Sequence, residues 1–552
     1  RRKTMTAPGG ETTTWTYTPG GRVKTVSVTG GETNRTTAYE YNKLGQTISI
    51  VATGEDPVSM TYDAFGLLLS KTADGITTTY TYDPGTRLLT GVTSTGDGSK
   101  TYTRDSWGRV TSVTSEGATT GYTYDALNRV TRIDHPAEDG VTPYETFLYD
   151  PQSGDLTETR DRAGRTTTLG YDLAGRLATK TFDTGDAVSY AYNAAGQAVR
   201  EEHFTASTGV TETIARTYDA RGRLTAESEN GDTCAYVYNN DDTIASRGDT
   251  GGTVAYTYAP DTGRLTGITA GTQPLSMTYD SMGRIAGVSL PNNVSRSFTY
   301  TSSDRLASMT QTVNGTVEEW HYAYTGSRLS QVEAPSFTER YRYDGAGRLV
   351  REQRLGTEPR DTGYAYDSRG NRIAKVTYAF DPSTSQPGDI GTTMPEVSRT
   401  DCTYDSANRL RASTGDLTGT YTYDSAGNLS TSTENGHARA YQYDRLNRLT
   451  RLEEPGDSGA TVTHAYTYLG STWKRTSATV NGARTVYAYA GDAISRQTTT
   501  PAGENPIPVT TSYFNYNGTP FWETTGGVTH TYTGDGRMNI TGAYTVATGY
   551  QH

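Results

Sequence analysis

The residue types that most often carry out catalysis or bind metals are scattered along this sequence. The seven histidines form no HExxH pattern and no other spacing typical of zinc ligands. The sequence also holds no G-x-S-x-G nucleophile motif and no GxxxxGK(S/T) phosphate loop. Acidic residues are numerous, but the regularly spaced aspartates fall at the turn positions of a repeat. We therefore predict no catalytic residue, no metal site and no cofactor.

Three local groups of residues have both a structural and a chemical interpretation. His321 lies between two aromatic residues, and we interpret it as a packed strand residue. Residues Asn239–Asp242 carry acids, but a calcium loop needs more oxygen ligands at alternate positions, so a turn is favoured. Cys234 and Cys402 give no disulfide framework and no metal pair. We predict that both are small, half-buried strand residues.

The composition favours a repetitive β-structure. The chain has 552 residues, of which 33% are hydrophobic, with 42 Tyr and only 9 Phe. Aliphatic residues are too sparse for a conventional core, so we expect tyrosine rings to supply much of the buried area. The formal charge of −11, without a basic patch, disfavours nucleic acid as a main partner. No apolar run is long enough to span a bilayer.

One motif recurs along the chain and reads aromatic-x-Tyr-Asp-x-x-Gly-Arg-Leu. The second aromatic residues of successive copies are mostly 19 to 26 residues apart. Two copies, around Asp105 and Asp161, have the turn without the tyrosine. We predict structural roles for the residues of the clearest copies, which are Tyr122, Tyr124, Asp125 and Arg129; Tyr341, Tyr343, Asp344, Gly347 and Arg348; Tyr364, Tyr366 and Asp367; Tyr421, Tyr423 and Asp424; and Tyr441, Tyr443, Asp444 and Arg448.

Each repeat predicts a β-hairpin. Tyrosines at positions i and i+2 point to the same face of a strand, and the residue between them, often Thr, points away. Aspartate opens a turn by bonding its downstream backbone, and Gly or Asn three residues later suits a left-handed conformation. The following Arg can stack on a tyrosine ring or pair with the turn Asp.

Some two dozen hairpins predict about fifty strands, which is far more than an open twisted sheet tolerates without curling. We therefore predict an all-β fold in which one continuous antiparallel sheet spirals into a hollow, barrel-like wall over residues 1–552. Residues 378–403 are predicted to be an inserted loop, and residues 500–552 to be degenerate repeats. Because the chain ends lie within ordinary or repeat-like sequence, we interpret it as a segment of a longer protein.

These motifs closely resemble the RHS/YD-repeat family, which includes bacterial Rhs and wall-associated proteins, the C components of toxin complexes, and teneurins. The resemblance covers nearly the whole chain. It implies a hollow shell spun from a spiralling β-sheet, which encloses a C-terminal toxin in bacterial members and forms part of an adhesion receptor in teneurins. It also implies a secreted or cell-surface location, and YD repeats have been linked to carbohydrate binding.

One part of the family pattern is missing. Toxin-carrying members end the shell with an Asp-Pro-x-Gly-Leu stretch at which the chain cleaves itself. The Asp-Pro pairs at Asp56, Asp83, Asp150 and Asp381 lack the Gly-Leu context, so we interpret them as turn residues. We predict that this chain is not an enzyme and that any cargo or cleavage site lies outside it.

The sequence is compatible with three functions. The first is a structural shell that encapsulates a toxin or other cargo. The second is an extracellular fibre or adhesion scaffold that binds glycans or partner proteins on its outer surface. The third is a hydrolase, which requires two acids on neighbouring hairpins to converge in a pocket. The regular repeat favours the first.

Overall fold

The computed structural model describes residues 1–6, 11–30, 34–95, 98–138, 140–249, 252–271, 273–380, 395–457, 459–490, 492–504, 506–516, 519–525, 528–534 and 540–545. Within these ranges the chain folds into strands and turns, without a helix.

The described residues form 49 strands, most of them five to eight residues long. Their bounds are β1 Thr4–Thr6, β2 Thr12–Tyr17, β3 Val23–Thr29, β4 Arg35–Tyr41, β5 Thr47–Ala52, β6 Val58–Tyr62, β7 Leu68–Ala73, β8 Ile76–Tyr82, β9 Leu89–Ser94, β10 Gly98–Arg104, β11 Val110–Ser115, β12 Ala118–Tyr124, β13 Val130–Asp134, β14 Tyr144–Tyr149, β15 Leu156–Arg160, β16 Thr166–Tyr171, β17 Leu177–Phe182, β18 Ala187–Tyr192, β19 Ala198–Thr205, β20 Val210–Tyr218, β21 Leu224–Glu229, β22 Asp232–Tyr238, β23 Ile244–Asp249, β24 Gly252–Tyr258, β25 Leu265–Ala270, β26 Gln273–Tyr279, β27 Ile285–Leu290, β28 Val294–Tyr300, β29 Leu306–Val313, β30 Thr316–Thr325, β31 Arg328–Glu333, β32 Phe337–Tyr343, β33 Leu349–Gly356, β34 Arg360–Tyr366, β35 Arg372–Tyr378, β36 Glu396–Tyr404, β37 Leu410–Gly415, β38 Gly419–Tyr423, β39 Leu429–Glu434, β40 His437–Tyr443, β41 Leu449–Pro455, β42 Thr461–Tyr468, β43 Arg475–Val480, β44 Ala483–Ala490, β45 Ala493–Thr500, β46 Val509–Tyr516, β47 Thr519–Thr525, β48 Val528–Gly534 and β49 Ile540–Thr545.

All these strands belong to one antiparallel sheet in which each strand pairs with the strand before it and the strand after it. The connecting turns therefore alternate between two edges of the sheet. Turns that follow even-numbered strands carry the Tyr-Asp motif, and we call this edge the YD edge. Turns that follow odd-numbered strands are mostly short, such as the turn at Glu116 and Gly117, and we call this edge the short-turn edge.

A β-bulge precedes the YD turn in almost every hairpin. In one hairpin Thr123 pairs with Arg132, but Tyr124 pairs with Val130, so Thr131 is skipped. The same shift recurs just before the second tyrosine of other units, including Tyr343 and Tyr423. A bulge bends its strand and increases the local twist, so its regular repetition curves the sheet in one direction.

The two faces of the sheet differ in exposure, as the alternation of tyrosine and threonine predicts. Tyr122 and Tyr124 are half-buried, whereas Thr123 between them is exposed. We call the less exposed side the tyrosine face. On the opposite face, exposed hydroxyls bond across strands, as between Thr103 and Ser112 at 2.7 Å.

The sheet curls until its YD edge meets its own short-turn edge, and we call this contact line the seam. Arg305 reaches Glu55 at 2.5 Å, Ser368 reaches Glu116 at 2.9 Å, and Lys474 is 2.5 Å from Glu229. The hydrogen-bonded partners across the seam are 245 to 284 residues apart, which is the length of one turn of the spiral. The predicted spiralling, hollow β-wall is thereby confirmed.

Aliphatic burial is concentrated in one part of the wall, which differs from the expectation that tyrosines would dominate. Leu265, Ile268, Leu275, Met277 and Val294 belong to a cluster whose members are 1–9% exposed. Most repeat tyrosines are only half-buried. The reason is local: strands β25 to β28 carry aliphatic residues at tyrosine-face positions that other hairpins fill with Thr or Tyr.

The predicted loop over residues 378–403 lies largely between two strands. Strand β35 ends at Tyr378 and β36 begins at Glu396, so the last part of that segment is strand. Residues 381–394 lie outside the described residues. Beyond position 500, strands β46 to β49 continue the hairpin pattern. The assignment of residues 500–552 to degenerate repeats stays a prediction.

Candidate functional site: the tyrosine–arginine ladder and the seam

Most YD turns are organised by an aspartate. Oδ1 of Asp125 accepts hydrogen bonds from the backbone N–H of Leu127 at 2.8 Å and of Arg129 at 3.0 Å. Asn128, three residues after the aspartate, has a φ of +65°, which is the left-handed conformation that the motif predicts for Gly or Asn. The amide of Arg129 is the main reason that the pKa of Asp125 is lowered.

The arginine that follows the turn makes three contacts at once. Nε of Arg129 donates to Oδ2 of Asp125 at 2.7 Å, and its guanidinium lies 4.3 Å from the ring centroid of Tyr149 in the next unit. Nη1 also donates to the carbonyl of Gly154 in the next YD turn at 3.0 Å. Sequence reasoning offered stacking or pairing, and the structure shows both.

The second tyrosine of most units bonds in the opposite direction along the chain. Its hydroxyl donates to the carbonyl of a residue at the start of a strand in the preceding unit. Arginine thus links each unit forward and tyrosine links it back, which we call the ladder. The bonds run from Tyr124 to Val110, Tyr149 to Val130, Tyr171 to Leu156, Tyr192 to Leu177, Tyr238 to Leu224, Tyr343 to Leu329, Tyr366 to Leu349 and Tyr423 to Leu410, at 2.7–3.0 Å.

The other residues predicted for the repeat take corresponding places. Gly347 has a φ of +79° and closes the Asp344 turn, in which Nε of Arg348 donates to Asp344 at 2.8 Å. Arg448 does the same with Asp444 at 2.7 Å and is itself buried. In the turns of Asp367 and Asp424 an asparagine side chain replaces the arginine, at 2.9 and 3.0 Å.

The first tyrosine of several pairs bonds acids on the tyrosine face. The hydroxyls of Tyr341 and Tyr421 donate to Glu339 at 2.6 Å and Glu434 at 2.8 Å. Tyr364 donates to Glu352 at 3.2 Å; burial and that neighbouring carboxylate raise the pKa of Tyr364 to about 12. Tyr122 and Tyr441, which are first tyrosines too, and Tyr443, the second tyrosine of its pair, are half-buried on the same face.

The two copies without a tyrosine have different outcomes. Arg104 occupies the tyrosine position before Asp105, and its guanidinium donates to the carbonyl of Leu89 at 3.2 Å, as a tyrosine hydroxyl would. The Asp161 turn has the same internal bonds, but it lies on the short-turn edge between β15 and β16. There Arg165 reaches Asn447 at 2.9 Å across the seam. Because this turn follows an odd-numbered strand, the Asp161 copy lies one strand away from the regular YD turns, which explains why it falls halfway between two units in the sequence.

The seam joins side chains of complementary charge. The short-turn edge of the first spiral turn supplies mostly carboxylates, and the YD edge of the second supplies cations. Besides the contacts that define the seam, Arg409 binds Glu138 at 2.6 Å and Arg445 binds Asp183 at 3.0 Å. Sequence reasoning missed these pairs because their partners are more than 250 residues apart.

The residues that the sequence singled out for possible catalysis or metal binding lie in separate parts of the wall. His321 is in strand β30 as predicted, but its side chain is 55% exposed, so the prediction that it packs was wrong; Trp320 beside it is the buried residue. Cys234 is buried and Cys402 half-buried in strands. Asn239–Asp242 lie in a YD turn. Within the described ranges, no cluster of three or more His, Cys, Asp or Glu residues could hold a metal ion.

The ladder and the seam define a repetitive structural wall, and comparison with known proteins identifies its family. The Teneurin YD-shell family model matches residues 179–383. The RHS Repeat model matches residues 62–100, 104–139, 149–187 and 423–458. The chain belongs to the RHS/YD-repeat family, and it forms a structural shell.

Solved structures share this fold at low sequence identity. A crystal structure of TcdB2-TccC3-Cdc42 is 13% identical with a TM-score of 0.58, covering 98% of this chain and 34% of that chain. TcdB2-TccC3-TEV is 12% identical with a TM-score of 0.59, covering 98% and 34%. The Photorhabdus luminescens Tc holotoxin pore is 14% identical with a TM-score of 0.55, covering 97% and 32%.

The chain therefore spans about a third of the length of these structures. The search of curated proteins finds no match. In the part of the chain that the structure describes, no helix has the length and apolar character needed to cross a membrane.

Proposed function

We propose that this shell encapsulates cargo, such as a C-terminal toxin domain, within a secreted or surface-exposed bacterial protein, and that the wall itself is not catalytic. The observation that carries the proposal is the seam. A sheet whose edge meets itself after 245 to 284 residues encloses a volume, whereas an open sheet would not. The tyrosine and arginine contacts that make up the repeat serve the wall itself.

The solved structures support the same function. Those that share the fold are described as TcdB2-TccC3 assemblies and as a Tc holotoxin pore. We infer from these descriptions that a toxin is the kind of cargo this wall encloses. We infer that the cargo lies against the tyrosine face. Many tyrosine hydroxyls there already donate to backbone carbonyls of the wall, so few of them are available to bind the cargo.

Proteolysis of a fused reporter tests the proposal. A small, protease-sensitive reporter is attached after His552, and its digestion is compared with that of the free reporter. We expect strong protection, which is lost when the seam cations are reversed in the variant Arg409→Glu/Arg445→Glu/Lys474→Glu. The matched control reverses three exposed cations that lie on strands away from the seam, Lys24, Lys100 and Lys375. A reporter digested as fast as the free one in the unaltered chain would overturn encapsulation.

A second candidate is an extracellular fibre or adhesion scaffold that binds glycans or partner proteins on its outside. The observation in its favour is a set of exposed apolar residues at YD turns of the first spiral turn, including Phe65 and Trp107 at 67% and 81% exposure. A glycan array and a pull-down with the intact chain test it. Retention of specific glycans together with a freely digested reporter would favour this candidate over encapsulation.

A further inference from the structure

One turn on the YD edge of the second spiral turn lacks the acidic side chain that organises most of its neighbours. Residues 469–474 connect β42 to β43, and we call them the Leu469 turn, because Leu469 stands where most units have aspartate. The turn at Asp150 has the same length, since in both the N–H of the first residue donates to the carbonyl of the sixth. Oδ1 of Asp150 accepts the amides of Gln152 and Ser153 at 2.8 and 2.7 Å. A leucine side chain cannot accept such bonds.

Glutamates of the first spiral turn replace the missing aspartate. Three of them, on strands β19 to β21, contact the Leu469 turn across the seam. The contacts join Oε2 of Glu212 to the backbone N–H of Gly470 at 2.6 Å, Glu201 to the hydroxyl of Ser471, and Glu229 to Nζ of Lys474 at 2.5 Å. The partners are 245 to 270 residues apart in the sequence, so these bonds exist only while the seam is closed.

Docking of the Leu469 turn on the first spiral turn has both a gain and a cost. Leu469 is 2% exposed, and the burial of its side chain favours the docked state. Nδ1 of His203 is buried beside Gly470 and has no hydrogen-bond partner in the part of the chain that the structure describes, which disfavours the docked state. Burial also raises the pKa of Glu229, so its charged form is less stable there. Opposing contributions of this kind are expected at a contact that opens and closes.

We propose that the Leu469 turn is a latch of the seam, which is ordered while it is docked on strands β19 to β21 and at which the wall opens first. Turns with their own aspartate, such as those at Asp405 and Asp444, keep their internal bonds when the seam separates. The Leu469 turn loses the acceptor of its Gly470 amide in the same event. The latch belongs to the wall itself and does not depend on what the wall encloses.

Hydrogen exchange of the intact chain, resolved to single amides, tests the proposal. The Asp444 turn is the matched reference, because it lies on the same edge and also contacts the first spiral turn, through Arg445 and Asp183 at 3.0 Å. The amide of Arg448 bonds the carboxylate of its own turn, whereas the amide of Gly470 bonds a carboxylate across the seam. After correction for intrinsic rates, the Gly470 amide should exchange about tenfold faster or more.

Two single variants distinguish the docking acids from neighbouring acids. Glu212→Ala removes the acceptor of the Gly470 amide and should speed its exchange by about a further tenfold, with no change in the Asp444 turn. The control Glu202→Ala alters an acid of β19 whose partner, Arg200 at 2.5 Å, lies outside the Leu469 turn. It should leave the exchange of Gly470 as in the unaltered chain. Circular dichroism of each variant checks that the wall is folded.

An engineered disulfide gives the opposite test. A Cβ atom built on Gly470 would lie 3.5 Å from Cβ of His203, which suits a disulfide. In the variant His203→Cys/Gly470→Cys, oxidation with glutathione disulfide should slow exchange in the Leu469 turn to the level of the Asp444 turn, and dithiothreitol should restore fast exchange. Gly470 has a φ of +49°, where cysteine is strained, so the oxidised form is compared only with the reduced form of the same variant. Peptide mapping confirms the pairing and its separation from Cys234.

Three results would overturn the proposal. The Gly470 amide could exchange as slowly as the Arg448 amide in the unaltered chain, which would mean that the Leu469 turn opens no earlier than its neighbour. Glu212→Ala and Glu202→Ala could have the same effect, which would remove the docking acid from the explanation. The oxidised and reduced forms of the disulfide variant could exchange alike, which would show that exchange in the turn does not require separation from the first spiral turn.

Discussion

Two regions of this wall are built on the same repeat but are held together differently. Residues 98–176 form a thin region, in which none of the described residues is buried. Residues 252–343 form a thick region, with a cluster of aliphatic residues that includes Ile268 and Leu275 at 1% and 2% exposure. Strand β12 of the thin region and strand β26 of the thick region align residue by residue. Thr120 and Tyr122 in β12 correspond to Leu275 and Met277 in β26.

The difference shows that the YD repeat does not require an apolar core in every unit. In the thin region most units are fixed by charge-assisted bonds and tyrosine hydroxyls that reach their two neighbours, as at Arg129 and Tyr149. In the thick region the same bonds are present and aliphatic burial is added. Because repeats in an array are stabilised by themselves and by their neighbours, local stability should differ along the chain.

The largest expected effect is the loss of a buried side chain in the thick region. Leu275→Ala removes a side chain that is 2% exposed and leaves a cavity, so it should lower the free energy of unfolding by about 3 kcal/mol. The exposed counterpart Leu148→Ala, at 54% exposure, should cost less than about 0.5 kcal/mol. Hydrogen exchange in strands β25 to β28 measures the loss for Leu275→Ala, and exchange in β14 measures the loss for Leu148→Ala. Equal losses in the two variants would contradict the distinction between the regions.

The next effect compares one arginine position in two settings. Arg448 is 7% exposed and bonds Asp444 at 2.7 Å and the carbonyl of Gly470 at 2.7 Å. Its removal in Arg448→Ala leaves a carboxylate and a carbonyl without their donor, which should cost about 2 kcal/mol. Arg129 makes the same contacts at 25% exposure, where water replaces them more readily, so Arg129→Ala should cost about 1 kcal/mol. Hydrogen-exchange rates of the amides around each turn give the loss in local unfolding free energy for the two variants. A larger loss for Arg129→Ala than for Arg448→Ala would refute the role of burial.

A smaller effect isolates the backward bond of the ladder. Tyr149→Phe keeps the ring under Arg129 but removes the hydroxyl that donates to Val130 at 3.0 Å, which should cost about 1 kcal/mol. Tyr122→Phe serves as a matched control, because the tyrosine ladder uses the second ring of that unit. Chemical denaturation followed by tyrosine fluorescence compares the two. An equal loss for Tyr122→Phe would mean that removing any half-buried tyrosine hydroxyl has this cost, and that the bond to Val130 is not what stabilises the wall.

The sequence was sufficient to predict the repeating parts of this structure. The spacing of Tyr122 and Tyr124 predicts a shared face, and the Asp-x-x-Gly/Asn pattern predicts the turn, because both follow from local backbone geometry. The all-β spiral follows from the number of hairpins. The seam could not be predicted, because whether Glu138 meets Arg409 depends on small bends summed over some twenty-four strands.

Two further residues show where local reasoning fails. The aliphatic cluster around Leu275 replaces tyrosines in a few hairpins, and its extent depends on which neighbours face it across several strands. His321 was expected to pack because it lies between two aromatic residues in sequence. Alternation along β30 places Trp320 on the buried face and His321 on the exposed one, so sequence proximity was the wrong guide.

The smallest expected effect is that of pH on the free energy of unfolding, which should change little near neutrality. At low and high pH the change should be larger, and it then distinguishes the thin region from the thick region. The amide of Arg129 and its side chain hold the pKa of Asp125 below the ordinary value, and the Arg176 side chain does the same for Asp172. A carboxylate whose pKa is lowered on folding stabilises the fold above its unfolded pKa of about 4, and this contribution is lost as the pH falls through the folded pKa.

At high pH the tyrosines have the opposite effect on stability, because their contribution is lost as the pH rises. Burial raises the pKa of Tyr364 to about 12, so its contribution is complete below the unfolded pKa of about 10 and is lost as the pH rises toward 12. We expect a flat stability profile between about pH 5 and 9. Below about pH 4, exchange protection should fall first in residues 98–176, where the aspartate turns have no aliphatic support, and persist longest in strands β25 to β28. Simultaneous loss in both regions would show that the wall unfolds as one unit and that the aliphatic cluster stabilises the whole spiral.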